Sequence, residues 1–122
     1  MSKTSVLPLF KPEIDFAIAP EIFQEKATIV HCRMTFGGPA RIWPSTFLVQ
    51  EDGTRKALLQ AYGIAPYPDW KYLKKDSVFT LVFEELDAPC RLFELLEDIP
   101  ESGEFHLTDI RRNKEDVYQI SI

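Results

Sequence analysis

Beyond residue 26 this chain is a relay of short runs that alternate polar and apolar positions or are rich in β-forming residues. Runs of this kind occupy residues 27–36, 41–50, 54–62, 77–84, 90–97, 105–110 and 117–122, with turn-forming residues between them. A period of two sends successive side chains to opposite faces of a strand, and no helix-length periodic segment interrupts the series. The pattern predicts an all-β sandwich or barrel. Neither an internal repeat nor a low-complexity linker divides it, so residues 1–122 read as one domain with a less regular N-terminal segment at 1–26.

In the first run, Thr28, Val30, Cys32, Met34 and Phe36 share the expected core face, and Ile29, His31, Arg33 and Thr35 point the other way. Gly37-Gly38-Pro39 ends it. Asp52-Gly53 lies between two β-rich runs, and these residue types tolerate the positive φ of a type I′ turn. Residues 41–50 and 54–62 should therefore be antiparallel neighbours. Pro44 lacks an amide proton, which favours an edge or a bulge near the start of the first. The run 77–84 is apolar on both faces, with Phe79, Leu81 and Phe83 on one and Val78, Thr80 and Val82 on the other. Such a strand is central, or covered by a loop. Residues 90–97 read as a strand, with a helix of about two turns between Pro89 and Pro100 as the alternative. The polar link 111–116 contains Asn113 as a turn residue. In the last run Tyr118, Ile120 and Ile122 share a face, and no functional tail is expected beyond it. Nearer the start, 14–18 reads as a strand and 20–25 as a single turn or loop.

Several segments carry a resemblance: Arg41-Ile-Trp-Pro-Ser-Thr-Phe-Leu, Pro68-Asp-Trp70, Phe79-Thr-Leu-Val-Phe, Cys90-Arg-Leu-Phe-Glu-Leu-Leu-Glu-Asp-Ile-Pro, Gly103-Glu-Phe and Ile110-Arg-Arg-Asn-Lys-Glu-Asp-Val-Tyr118. Over residues 27–122 the chain resembles small uncharacterised bacterial β-sandwich proteins. More loosely, it is similar to the β-sandwich domains that precede thioredoxin-like domains in bacterial envelope proteins. The resemblance implies an antiparallel immunoglobulin-like β-sandwich of about seven to eight strands, used as a binding or accessory module. It transfers no catalytic residue. The chain has no Cys-x-x-Cys motif, so a redox role does not carry over.

A chain of 122 residues with 45% hydrophobic residues can bury a core without a disulfide or a metal. The net charge of −5 is unevenly spread. Residues 1–61 hold seven Lys/Arg against six Asp/Glu, and residues 62–122 hold seven against thirteen. Between residues 84 and 109, Arg91 is the only Lys or Arg. A negative field of this kind disfavours nucleic acid. It reads as solvated strand faces and loops, or as a docking face for a basic partner. No segment is apolar enough for a membrane span, so no membrane insertion is expected. The first ten residues, broken by Pro8, do not read as a signal peptide. A cytoplasmic location follows by default, or an envelope or secreted one if a leader was removed.

The chemistry-bearing residues are few. Cys32 and Cys90 fall at or within strands and read as small buried hydrophobes in a reducing compartment, or as a disulfide in a secreted one. His31 and Cys32 are neighbours on a strand and face opposite sides, so they make a poor metal pair. A nucleophilic thiol needs an electropositive, partly exposed setting, whereas Cys90 lies among Glu84, Glu85 and Asp87. Glu84/Glu85 and Glu97/Asp98 are adjacent carboxylates that point apart along a strand, which makes them poor acid–base dyads. Neither a Gly-x-Ser-x-Gly elbow nor a Gly-rich phosphate loop is present. Residues 98–104 could hold calcium only weakly. No catalytic residue, metal ligand or cofactor is assigned.

Residues 61–73 are the one stretch of unusual composition, with Tyr62, Tyr67, Trp70 and Tyr72 in a Pro- and Gly-rich connection. Aromatic rings on a rigid loop make flat contact surfaces for a protein or a sugar. Alternatively, Trp70 and one Tyr fold back to plug the open end of the sandwich. Trp43 extends the same surface or joins the core. The leading expectation is a non-enzymatic interaction module that binds a protein partner through this loop or an exposed strand edge. A carbohydrate-binding module and a self-assembling subunit are the alternatives.

Overall fold

The computed structural model describes residues 27–100 and 104–122. The elements expected within 14–25, and part of 98–104, lie outside them. Among the described residues ten strands form: β1 (Ala27–Arg33), β2 (Gly38–Ile42), β3 (Thr46–Gln50), β4 (Arg55–Tyr62), β5 (Ala65–Pro66), β6 (Lys71–Leu73), β7 (Val78–Glu84), β8 (Leu92–Glu97), β9 (His106–Arg111) and β10 (Val117–Ser121). No helix occurs among the described residues, and so none is long and apolar enough to cross a membrane.

The strands make a seven-stranded sheet, in the order β10-β1-β7-β4-β3-β8-β9, and a three-stranded sheet, β5-β2-β6. The large sheet curls into a half-barrel. Adjacent strands are antiparallel except at β1/β10 and β2/β5, which are parallel. The fold is all-β as expected, but its sheets are mixed, unlike the purely antiparallel pair of an immunoglobulin-like sandwich. Two local causes raise the strand number. The run 41–50 is broken at Trp43-Pro44-Ser45, where Pro44 cannot donate to a ladder and the Thr46 hydroxyl closes the turn onto the Trp43 carbonyl at 2.7 Å. Its first half belongs to the small sheet and its second to the large one. The connection 61–73 supplies β5 and β6, the partners of β2.

Alternation then fills the concave face. Thr28, Val30 and Cys32 of β1, Phe79, Leu81 and Phe83 of β7, Leu48 of β3, Phe93 and Leu95 of β8 and Tyr118 of β10 are buried together. Ile42, Ile64 and Leu73 join them from the small sheet and its approach. Phe36 does not belong to this face as expected. The β1/β7 ladder ends at Arg33–Val78, the chain turns towards β2, and Phe36 is left exposed. Residues 90–97 form a strand rather than a helix, and β7 lies inside the large sheet between β1 and β4. Its second face is less covered than its composition implied, since Val78 is exposed.

The Asp52-Gly53 hairpin pairs Phe47, Leu48 and Val49 with Ala57, Lys56 and Arg55. Its turn is not type I′. Of the two residues only Gly53 has positive φ (89°), and its amide donates to the Gln50 carbonyl while the Gln50 amide donates to that of Thr54. This is a type I turn closed by a glycine bulge, and the Asp52 carboxylate stabilises it by accepting the Thr54 amide.

Much of the acidic stretch is structural. Asp87 accepts from Lys56 and Gln50, Glu84 accepts the Ala57 amide, and Asp98 pairs with Arg55. At the far side Arg112 pairs with Asp116 and donates to the Asp87 carbonyl, tying the loop after β7 to the turn before β10.

Candidate functional site

The outer face of the small sheet carries the aromatic residues. Pro39 of β2 pairs with Tyr72 of β6, and Arg41 pairs with Ala65 of β5, so these positions share one face. The Tyr67 amide continues the β2/β5 ladder by donating to the Ile42 carbonyl. That bond brings the Tyr67 ring over Trp43, with centroids 3.7 Å apart and planes 24° from parallel. Arg41 then packs among three rings. Its guanidinium carbon is 4.0 Å from the Trp70 centroid, 4.7 Å from Tyr67 and 5.5 Å from Trp43. It also donates to the Pro68 carbonyl at 3.2 Å. A cation over aromatic faces is attracted by their quadrupoles. Arg41 therefore holds Tyr67 and Trp70 in place although both are exposed.

Trp43, Tyr67 and Trp70 thus form one cluster, and Tyr72 extends it beside Pro39. Trp70 is 59% and Tyr72 is 70% exposed, so neither plugs the end of the sheet. Tyr62 stands apart. It lies on β4 opposite Thr80 in the large sheet, and its hydroxyl donates to the Gln60 side chain.

Beside β2 lies a cavity of about 330 Å³, reached by residues from both faces of that strand. Met34, Ala40, Ile64, Phe79 and Ile122 give it apolar walls, and Trp43 and Trp70 contribute ring surface. Its charged lining is Arg41 and Glu97. The inward positions of β8 are Phe93, Leu95 and Glu97, so a carboxylate stands where a third apolar residue would complete the stripe. Glu97 is only 4% exposed. Burial pushes its carboxyl above the ordinary value, opposed by the backbone amides of Trp43 and Phe105, which donate to it. Among nearby charges, Glu104 raises it further and Arg41 lowers it. Asp98, one residue on, points outward to Arg55, so the two carboxylates do face apart.

The remaining reactive groups are scattered. Cys32 and Cys90 are free and buried, not bridged. Burial pushes the Cys32 thiol up to about 12, and Cys90 is raised by burial and then by Glu51. His31 shares a hydrogen bond with the Thr80 hydroxyl at 2.8 Å, and His106 pairs with Glu94 at 2.7 Å. Among the described residues no group of three or more His, Cys, Asp or Glu side chains is placed to hold a metal ion.

Sequence reasoning named the aromatic residues but missed Arg41, which organises them, and Glu97, which it weighed only as half of a dyad. A signal existed for Glu97, the break in the apolar alternation at the end of β8. For Arg41 the signal was weaker, a cation two residues from Trp43 on the same face. The chain gives no significant match to known protein families, to curated proteins or to solved structures.

Proposed function

We propose that this chain is a non-enzymatic binding module that receives a protein partner on the outer face of the β5-β2-β6 sheet. The observation that carries this reading is the packing of Arg41 among Trp43, Tyr67 and Trp70. Trp, Tyr and Arg dominate the energetics of protein interfaces. Rings already held in place lose little entropy when a partner covers them, and Trp70 and Tyr72 offer it apolar area. The non-enzymatic part of the reading is supported by the thiols, which are buried and held protonated. The two histidines, each engaged with a single neighbour, add to that support. Of the strand edges, β9 is the poorer template, because a bulge interrupts its ladder.

An immunoglobulin-like form of the fold draws support from one feature. The Tyr118 hydroxyl accepts the Asn113 amide five residues upstream, as in the tyrosine corner of such sandwiches. The parallel β1/β10 and β2/β5 pairs count against its strict antiparallel form. Two free cysteines accord with a reducing compartment, hence with a cytoplasmic location.

The test is affinity capture with chemical cross-linking, comparing wild type with a Trp70→Ala/Tyr72→Ala variant of matching circular dichroism and melting. A protein partner recovered by wild type and lost by the variant is the expected result. Equal recovery by the folded variant removes this face from the reading. A glycan-array signal lost in the same variant assigns the face to carbohydrate, and a concentration-dependent mass by light scattering assigns it to self-association.

A further inference from the structure

We propose that Glu97 makes the aromatic face responsive to protons. With its carboxyl neutral, the cavity beside β2 stays closed and the rings around it stay ordered for a partner. With the carboxyl ionised, water enters the cavity and the rings loosen. This rests on the outer face as the docking surface and adds a control to it.

The geometry joins the carboxyl to the rings. Glu97 lines the same cavity as Trp43, Trp70 and Arg41, so the rings that meet a partner also cover the carboxylate. It accepts the amides of Trp43 and Phe105, the residues just after β2 and just before β9. The main chain at the end of β8 holds the same two segments. The Glu97 amide donates to the Phe105 carbonyl at 3.0 Å, and the Asp98 amide donates to the Ser45 carbonyl at 3.0 Å. The Ser45 hydroxyl returns a bond to the Asp98 carbonyl at 2.7 Å. Trp43 in turn stacks on Tyr67, so a change at the carboxyl reaches the rings through the Trp43 backbone. The small sheet has little to resist it, because its β2/β6 ladder pairs only three residues.

The direction follows from which effect is larger. An ionised carboxylate in so buried a site loses its hydration, which favours the neutral form. Glu104, a like charge, acts in the same sense. The two amides and Arg41 favour the ionised form. The Arg41 guanidinium is spread over three rings and also donates to the Pro68 carbonyl, so Glu97 has only part of its attraction. Of the other nearby charges, Asp98 points outward to Arg55 and His106 pairs with Glu94. Burial prevails, and the closed cavity holds the proton above the ordinary carboxyl value of 4.5.

The state that holds a proton more tightly is the one favoured as pH falls. The closed cavity is therefore favoured at low pH, and an open, hydrated one gains as pH rises through the folded Glu97 value. A partner that covers Trp70 strips further water from the carboxyl, so docking takes up a proton and strengthens as pH falls.

The test reads the wild type without a ligand. The Glu97 carboxyl carbon and the Trp43 and Phe105 amides are followed by NMR from acid to neutral pH, with acrylamide quenching of tryptophan emission over the same range. The resonances should titrate together with a midpoint above 4.5, and quenching should rise with that midpoint. Glu97→Gln should keep quenching low throughout. A flat profile in the wild type, quenching that falls as pH rises, or a midpoint unlike that of the Glu97 carboxyl overturns the proposal without reliance on any variant. A step that survives in folded Glu97→Gln overturns it as well. The docking reading fails separately. A wild type that shows the step while the Trp70→Ala/Tyr72→Ala variant still captures its protein partner leaves the proton response standing and the outer face rejected.

Discussion

Arg41 lies 4.0 Å from the centre of the Trp70 ring, a contact between β2 and the segment leading into β6. It adds a side-chain tie to the short β2/β6 ladder, which β6 limits to three residues. Arg41 thus orders the exposed aromatic face together with the Trp43–Tyr67 stack.

Arg41→Ala should loosen Tyr67 and Trp70 while leaving the seven-stranded sheet intact. Cation–π contacts at exposed sites contribute about 0.5–1 kcal/mol each, so a total loss of about 1–2 kcal/mol is expected in urea denaturation. Arg41→Lys should recover only part of it, since an ammonium cannot stack as a planar guanidinium does. Unchanged tryptophan emission and quenching in Arg41→Ala would show that the rings are held by something else.

Thr28 is fully buried opposite Phe83, and its hydroxyl has no hydrogen-bond partner among the described residues. An unsatisfied buried hydroxyl costs about 1–3 kcal/mol. Thr28→Val keeps the shape and removes that cost, and it suits a strand. A gain of about 1 kcal/mol in denaturant stability is expected. A loss would mean that the hydroxyl is satisfied in solution.

Glu97 and Asp87 should pull the pH profile of stability in opposite directions. The folded Glu97 carboxyl is raised above its ordinary 4.5, so the native state holds its proton longer than the unfolded chain. Its contribution is present in full below pH 4.5 and is lost as pH rises through the folded value. Asp87 is lowered from 3.8, chiefly by the Lys56 hydrogen bond and then by Gln50. Its contribution is present above 3.8 and is lost as pH falls through the folded value. Glu97→Gln should therefore gain stability relative to wild type as pH rises above 4.5, and Lys56→Met should soften acid unfolding. Parallel pH–stability curves for wild type and Glu97→Gln would contradict the first expectation.

Asp109 has a φ of 58° on the edge strand β9, where it and Thr108 together stand opposite Glu94. Left-handed backbone costs an ordinary residue about 1–2 kcal/mol, least for Gly, Asn and Asp. Asp109→Gly and Asp109→Asn should be nearly neutral, while Asp109→Val should lose about 1–2 kcal/mol. The valine variant should also favour a straighter edge and self-association, measurable by sedimentation. A monomeric valine variant of unchanged stability would mean that the bulge does not depend on this residue.

The shared faces of β1 and β7 were legible in the sequence because strand geometry enforces a period of two. The 50–55 hairpin was legible because a turn is a local event. The split at Trp43-Pro44-Ser45 was not, since whether a proline bends a strand or ends it depends on which sheet waits on either side. The same holds for the parallel β1/β10 pair, which joins residues 88 apart, as in Ile29 with Val117. For the site, composition located the aromatic residues of 61–73 but could not show that Arg41 would lie among them. Glu97 was hidden for a related reason, because adjacency to Asp98 drew notice while its alternation with Phe93 and Leu95 did not.

The β1/β10 pairing also fixes an order of events at the ribosome. β1 is made before the other described strands, yet one of its edges waits for β7 and the other for β10. Pairings so distant in sequence are slow to form. The half-finished sheet must carry an uncovered β1 edge until residues 117–121 have been made. Nascent chains stalled before that point should be the ones most in need of a chaperone.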